Sequence, residues 1–151
     1  MKISYKGDYA LKAILDLSYY YGTDTVVPIT DISGRQNMPV KFLEQIMLIL
    51  KKAGYVDSKR GVGGGFFLIK SPDRITIGEI IRLIEGPVEP IACGKYNHDG
   101  GCGEEDKCAF REVWIEVTDA VSRIVDAVTF DDVMQRDRIL KAPRQGYMYQ
   151  I

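Results

Sequence analysis

The sequence predicts a mainly α fold with a small β-hairpin wing, and three observations carry that expectation. Apolar residues recur at three- and four-residue spacing through successive segments before residue 54, two of them separated by a very short break. The period then drops to two on either side of Gly61-Val62-Gly63-Gly64-Gly65. Finally, Phe110, Trp114, Val117, Val121, Ile124 and Val128 follow one another at intervals of 4, 3, 4, 3 and 4 residues. Helix, helix, helix, hairpin is the order of a winged helix-turn-helix, here followed by a long dimerisation helix.

Taken in order, Ser4 offers an N-cap to a first helix that places Tyr9, Ala10, Ala13, Ile14, Leu17 and Tyr20 or Tyr21 on one face until Gly22 stops it. Thr30 offers an N-cap to a short helix over 31–36. Asn37 and Met38 break it, and Pro39, with its fixed φ, suits the start of the next helix over 39–53. There Phe42, Leu43, Ile46, Ile49 and Leu50 are expected inside, and Lys41, Glu44, Gln45, Leu48, Lys51 and Lys52 outside. Gly54 ends this helix. Strands over 55–60 and 66–70 enclose the glycine-rich tip, which runs into a strand and lacks the Gly-Lys-Ser/Thr ending of a nucleotide loop. Ile77, Ile80, Ile81 and Ile84 define a further helix ending at Glu85-Gly86-Pro87. The heptad-spaced stripe needs a partner helix, and a second copy of the chain is the economical one. A short turn of helix over 131–136 and a tail complete the chain. The expected division is 1–86, winged-helix DNA-binding domain; 87–108, cysteine-containing loop; 109–128, dimerisation helix; 129–151, C-terminal tail.

Composition narrows the class. With 151 residues and 46% apolar residues the chain can bury a core without disulfide staples. No apolar run approaches the roughly 20 residues of a membrane span, and residues 1–8 carry charges where a signal peptide is apolar. A cytoplasmic protein is expected. The net charge of -1 conceals an asymmetry: residues 1–70 hold ten basic and six acidic side chains, a balance of +4, and the remainder holds ten and fifteen, a balance of -5. The basic half suits a polyanion such as double-stranded DNA. A single histidine, no paired nucleophile and base, and no phosphate loop argue against an enzyme.

On DNA, a two-fold dimer would present two recognition helices to successive major grooves, so the site is expected to be an imperfect palindrome. Gln45 can pair bidentately with adenine, Glu44 can accept from a cytosine amino group, and Lys41 can reach guanine or phosphate. Lys59 and Arg60 at the base of the tip suit a narrow minor groove. Lys2 and Lys6 are expected on phosphates, which position without specifying. A solvated face is the alternative for the charges on this helix.

Cys93, Cys102 and Cys108, with eight and then five residues between them, lie among Gly94, Gly100, Gly101 and Gly103. Thiolates gathered in such a loop suit a soft metal, either tetrahedral zinc or an iron-sulfur cluster, and both need a fourth ligand. His98 would complete a three-cysteine, one-histidine zinc site, whereas Asp8 or an exogenous group would complete a cluster. Thiols that bind nothing and are merely redox-reactive are the third possibility.

The opening Met1-Lys2-Ile3-Ser4-Tyr5-Lys6-Gly7-Asp8-Tyr9-Ala10, the Phe42-Leu43-Glu44-Gln45-Ile46 segment, the wing Arg60-Gly61-Val62-Gly63-Gly64-Gly65-Phe66, the Ile77-Gly78-Glu79-Ile80-Ile81 helix and the three-cysteine loop together resemble the IscR-type winged-helix regulators. That family includes the iron-sulfur biogenesis regulator IscR, the nitric-oxide-sensing repressor NsrR and the cysteine-metabolism repressor CymR. The resemblance covers nearly the whole chain. It implies a homodimeric transcription factor with DNA contacts at Glu44, Gln45 and Arg60 and cluster ligands at Cys93, Cys102 and Cys108. The interval between the first two cysteines is longer than usual, and Arg111 stands where the IscR branch has a histidine ligand. Asp8 stands where the NsrR branch supplies an aspartate from the other subunit, and is favoured over His98 as fourth ligand. The ending Tyr147-Met148-Tyr149-Gln150-Ile151 looks like that of the CymR branch.

The functional expectation is a homodimeric regulator, a repressor, that senses iron-sulfur, redox or nitric oxide status through a 2Fe-2S or 4Fe-4S cluster. The alternatives are a zinc-stabilised regulator without redox sensing and a cysteine-metabolism repressor acting with a partner protein. An iron-sulfur electron carrier or enzyme partner is a more distant rival, because it leaves the basic winged helix without a role.

Overall fold

The computed structural model describes residues 2–90 and 107–142, which form six α-helices and one antiparallel hairpin. Helix α1 (Tyr5–Ser18) starts at the expected cap: the Ser4 hydroxyl accepts a hydrogen bond from the Gly7 amide at 3.2 Å. Its α-helical part ends at Ser18, and a hydrogen-bonded turn carries the chain on to Tyr21. Helix α2 (Ile29–Gln36) begins two residues before the expected start, with Pro28 as N-cap and Thr30 inside the first turn. It stops at Asn37, whose φ of 51° places it in the left-handed region that asparagine tolerates. Helix α3 (Val40–Lys52) follows at once, entered through Pro39.

The wing is β1 (Val56–Lys59) paired antiparallel with β2 (Gly65–Leu68), in the register Val56 to Leu68 and Lys59 to Gly65. Val27, between α1 and α2, adds a short bridge to the other edge of β2 through two hydrogen bonds with Phe66 at 2.9 and 2.8 Å. Gly65 permits that approach, since a β-carbon there would stand 2.4 Å from the Val27 carbonyl. Both strands are shorter than the alternating pattern suggested: the ladder closes at Val56 and Leu68, so Tyr55, Ile69 and Lys70 fall outside it, while at the tip β2 begins at Gly65.

A 3-10 turn (Pro72–Arg74) leads to α4 (Ile77–Glu85), and α5 (Arg111–Ala127) and α6 (Phe130–Lys141) complete the described chain. Helices α4 and α6 start side by side. Ile77 donates to the Val128 carbonyl and Phe130 to the Ile75 carbonyl, and both Thr76 and Thr129 close reciprocal capping boxes with Glu79 and Asp132. Gly78 lets α4 and α5 approach, because a β-carbon there would fall 1.9 Å from the Asp126 carboxylate. That carboxylate takes two hydrogen bonds from the Arg82 guanidinium at 2.6 and 2.8 Å.

One core joins these elements. Ala10, Ala13, Ile14 and Leu17 of α1 pack with Ile32, Leu43, Ile46, Met47, Leu50, Val56, Ile75, Ile80 and Phe130. Two features correct the periodicity reading. Met47 is fully buried whereas Phe42, expected inside, is 42% exposed, so the inner face of α3 is rotated toward Met47. Helix α6 extends to Lys141, well past the turn expected over 131–136, and inserts Phe130 into this core. Its other end is tied to α1, where the Tyr19 hydroxyl donates to Asp137, itself 2.7 Å from Lys141. Burial first, then the Asp137 carboxylate, push the Tyr19 hydroxyl up to about 12.

Phe130→Ala should lower stability by about 3–5 kcal/mol, the usual cost of emptying a buried phenylalanine site; denaturant unfolding will measure it, and an unchanged midpoint would show that α6 contributes nothing to this core. The Arg82 hydrogen bonds hold Asp126 below its ordinary carboxylate pKa, against a smaller opposing effect of burial. The resulting stabilisation is present above the unfolded carboxylate pKa and is lost as pH falls through the lower folded value. Asp126→Asn should therefore be less stable than wild type at pH 7, with the gap closing toward pH 2 in parallel thermal melts.

Candidate nucleic-acid interface and ligand residues

A recognition helix reads DNA only if its outer face is free and its pose is fixed. On α3 the inner row Leu43, Ile46, Met47 and Leu50 is buried, and Lys41, Glu44, Gln45, Leu48, Lys51 and Lys52 are exposed on the opposite side. Lys41, Glu44 and Gln45 therefore stand where the sequence reading put them, on the first two turns, the part of such a helix that meets base edges. The turn ahead of α3 is closed by two bonds: the Ser33 hydroxyl donates to the Met38 carbonyl at 2.5 Å, and the Met38 amide donates to the Ser33 carbonyl at 3.0 Å. At the other end, Lys51 reaches Asp57 at 2.8 Å and Ser58 at 2.6 Å, tying α3 to the wing.

Lys59 and Arg60 are exposed at the base of the wing tip, and Lys2 is exposed beside α1. Lys6 is half-buried. Phe42 leaves the core for the α1 side of α3, where its ring meets Tyr9 edge-on with 5.7 Å between ring centres.

Two positioning residues were not singled out from the sequence. Asp16, 4% exposed on α1, accepts two hydrogen bonds from the Arg35 guanidinium at 2.9 and 2.7 Å and one from Gln36 at 3.2 Å. The signal for it was present: an acid at position 16 falls on the apolar row of Ala13, Leu17 and Tyr20. Glu85, the last residue of α4, accepts from the Ser4 amide at 3.1 Å and the Ser4 hydroxyl at 2.5 Å. A β-carbon on Gly7 would lie 2.3 Å from the same carboxylate oxygen, so the glycine makes room for this contact.

The expected ligand set is divided. Cys93, His98 and Cys102 lie outside the described residues. Cys108 is a half-buried free thiol just ahead of α5, and its carbonyl accepts from the Arg111 amide at 3.2 Å. Asp8 is half-exposed on the first turn of α1, 2.7 Å from Lys12, in a groove lined by Lys2, Ile3, Ser4, Tyr5 and Leu11. Among the described residues no three His, Cys, Asp or Glu side chains are grouped to hold a metal ion.

On α5 the heptad stripe separates into two lines. Trp114, Val121 and Val128 are half-buried, whereas Phe110, Val117 and Ile124 are exposed, the first and last at 67% and 64%, with Val113 beside them. Among the described residues no helix is long and apolar enough to cross a membrane.

Comparisons with known proteins agree with this architecture. Residues 3–136 match the Rrf2 family, described as an iron-dependent transcriptional regulator. The HTH-type transcriptional regulator CymR of Bacillus subtilis (strain 168) is 34% identical over 151 residues, covering 100% of both chains. The HTH-type transcriptional regulator IscR of Enterobacter sp. (strain 638) is 35% identical over 93% of this chain and 83% of its own length. Among solved structures, T. potens IscR superposes with a TM-score of 0.74 at 32% identity, covering 99% of this chain and 96% of that one. A mainly helical fold with a two-stranded wing, an outward recognition helix and a family match over nearly the whole chain lead to one assignment: the protein belongs to the Rrf2 family of helix-turn-helix transcriptional regulators, related to IscR and CymR, and is not an enzyme.

Proposed function

We propose that the protein is a homodimeric repressor that binds an imperfect DNA palindrome and senses iron-sulfur, redox or nitric oxide status through a cluster held by Cys93, Cys102 and Cys108, with Asp8 of the partner subunit as fourth ligand. The observation that carries the DNA reading is the outer face of α3, exposed and hydrogen-bonding beside an exposed basic wing. Gln45 donates to and accepts from one adenine, Glu44 accepts from a cytosine amino group, and Lys41 reaches guanine or phosphate. Lys59 and Arg60 enter the minor groove at the flank, while Lys2 and Lys6 neutralise phosphates and make affinity fall with salt. The exposed line Phe110, Val113, Val117 and Ile124 supports pairing with a second copy, which fixes the spacing of the two half-sites. A transcriptional regulator acts beside the chromosome, in keeping with a cytoplasmic location.

Three thiols in a glycine-rich segment and one exposed carboxylate suit an iron-sulfur cluster in number and softness. Such a cluster, 2Fe-2S or 4Fe-4S, supplies a centre reactive toward oxidants and nitric oxide when bound. The chain supplies the link to DNA: Glu85, eight residues before Cys93, is hydrogen-bonded to the N-terminus of α1, and α1 packs on α3. A ligand state that interacts differently with two placements of α1 shifts their populations, and with them DNA affinity. The end-to-end match to CymR favours a second reading, a cysteine-metabolism repressor acting with a partner protein, for which the protein carries no iron. A zinc site completed by His98 would also leave it without iron.

Selection from a random DNA pool should enrich an imperfect palindrome, and Gln45→Ala should reduce discrimination at one base pair per half-site by about 1–3 kcal/mol; no enrichment in either metal-loaded or metal-free form would sink the DNA reading. Anaerobic purification should give coloured protein with iron and acid-labile sulfide, whereas colourless protein with one zinc per chain, or with no metal, favours the other readings. Asp8→Ala should lose cluster faster on dilution, and an unchanged visible spectrum with unchanged retention would remove Asp8 from the ligand set.

A further inference from the structure

Two apolar side chains of α3 are left exposed, Phe42 on the side toward α1 and Leu48 on the outer face. Phe42 is 42% exposed and Leu48 is 61% exposed, and each lies three residues from Gln45, one before it and one after. The Phe42 ring is held edge-on against Tyr9, with an interplanar angle of 85° and 5.7 Å between centres, so it is presented in a fixed pose. Around the pair are Lys41, Glu44, Gln45, Lys52 and Lys51, the last paired with Asp57, a surface with three cations against two acids.

Three residues of α-helix advance about 4.5 Å along the axis. Successive base pairs advance about 3.4 Å. On a helix lying along the major groove, side chains one helical turn before and after Gln45 would reach the base pairs next to the one Gln45 reads. The principal apolar group on the major-groove edges of the bases is the thymine 5-methyl group. We propose that Phe42 and Leu48 read thymine methyl groups on the two base pairs flanking the adenine contacted by Gln45, so that each half-site is selected for a short A·T run by apolar contact as well as by hydrogen bonding. This rests on α3 being the DNA-reading helix.

Deoxyuridine tests it without altering the protein, because uracil lacks only the methyl group and keeps the pairing edge. The site enriched by selection is remade with uracil in place of one thymine at a time, and binding is measured by fluorescence anisotropy. Wild type should bind about fourfold more weakly at each of two flanking thymines per half-site, the effect of returning one methyl-sized group to water. Other thymines should show no change. Leu48→Ala should lose the thymine preference at one of the two positions and Phe42→Ala at the other. Equal wild-type affinity for thymine and uracil throughout, or an equal loss at every thymine, overturns the inference and leaves DNA reading by α3 standing. Failure to enrich any sequence overturns both. Should Phe42→Ala not fold, the wild-type uracil scan and the exposed Leu48 variant still decide.

Discussion

The pose of the recognition helix depends on a carboxylate buried in the helix behind it. Asp16 of α1 takes a forked pair of hydrogen bonds from Arg35 and a third from Gln36, both in the last turn of α2. A carboxylate taken out of water costs several kcal/mol, which only well-aligned, charge-assisted bonds offset. That cost makes the contact selective: slippage of α2 by one residue would leave the charge unpaired. Since α2 is separated from α3 only by Asn37, Met38 and Pro39, fixing its last turn fixes where α3 begins. The Arg35 guanidinium also lies 5.4 Å from the centre of the Tyr20 ring, so the same cation holds both α1 and the turn that follows it.

Helix α1 is consequently the hub through which α2, α4 and α6 are referred to the recognition helix. Its middle holds α2 through Asp16, its N-terminus holds α4 through Ser4 and Glu85, and its C-terminal turn holds α6 through Tyr19 and Asp137. The apolar face between these ties packs on Leu43, Ile46 and Leu50 of α3. A rigid-body displacement of α1 would therefore carry the recognition helix with it. Glu85, the last residue of α4, ties the C-terminal end of that helix directly to the N-terminus of α1.

Local signals make most of this legible in the sequence. The Ser4 cap, the Asn37-Met38-Pro39 break, the Gly86 stop and the change of period at residue 55 are short-range features whose physics is complete within a few residues. What escaped was decided by contacts distant in sequence. Phe42 and Met47 are both apolar and flank the buried row of α3, and which of them turns inward depends on Tyr9 standing beside Phe42. Helix α6 was read as a turn and a tail because its sequence, rich in Asp and Arg after Phe130, gives a weak apolar row; one phenylalanine inserted beside Ile75 and Ile80 anchors it. Glu85 could not be distinguished from any other surface acid, since its partner is 81 residues away. The outer face of α3, with Lys41, Glu44 and Gln45, is legible because exposure on a helix face follows from periodicity, whereas whether Asp8 meets three thiols is a question of distance, which spacing does not encode.

The split of the α5 stripe shows how one heptad pattern can serve two surfaces. Had all six members faced the chain's own α4, the helix would be a buried element of a monomer. The line of Trp114, Val121 and Val128 is half-buried, and Thr118, fully buried, turns its hydroxyl back to the Trp114 carbonyl at 2.8 Å, as a polar side chain with no solvent must. Gly78 and the Arg82–Asp126 pair close the contact with α4. The line of Phe110, Val117 and Ile124, displaced by half a heptad, is left in water at a cost of roughly 25 cal/mol for each Å² of apolar surface not removed. A helix that is both docked and apolar on its free side matches the α5 sequence, whose charges Glu112, Glu116, Asp119, Arg123 and Asp126 avoid both lines. The docking gives the helix a fixed direction relative to α4, and with it a fixed direction to the exposed apolar line. Helix α4 thus carries two ties, to α5 through Gly78 and Arg82 and to α1 through Glu85, which places the direction of α5 and the pose of α1 on one rigid path.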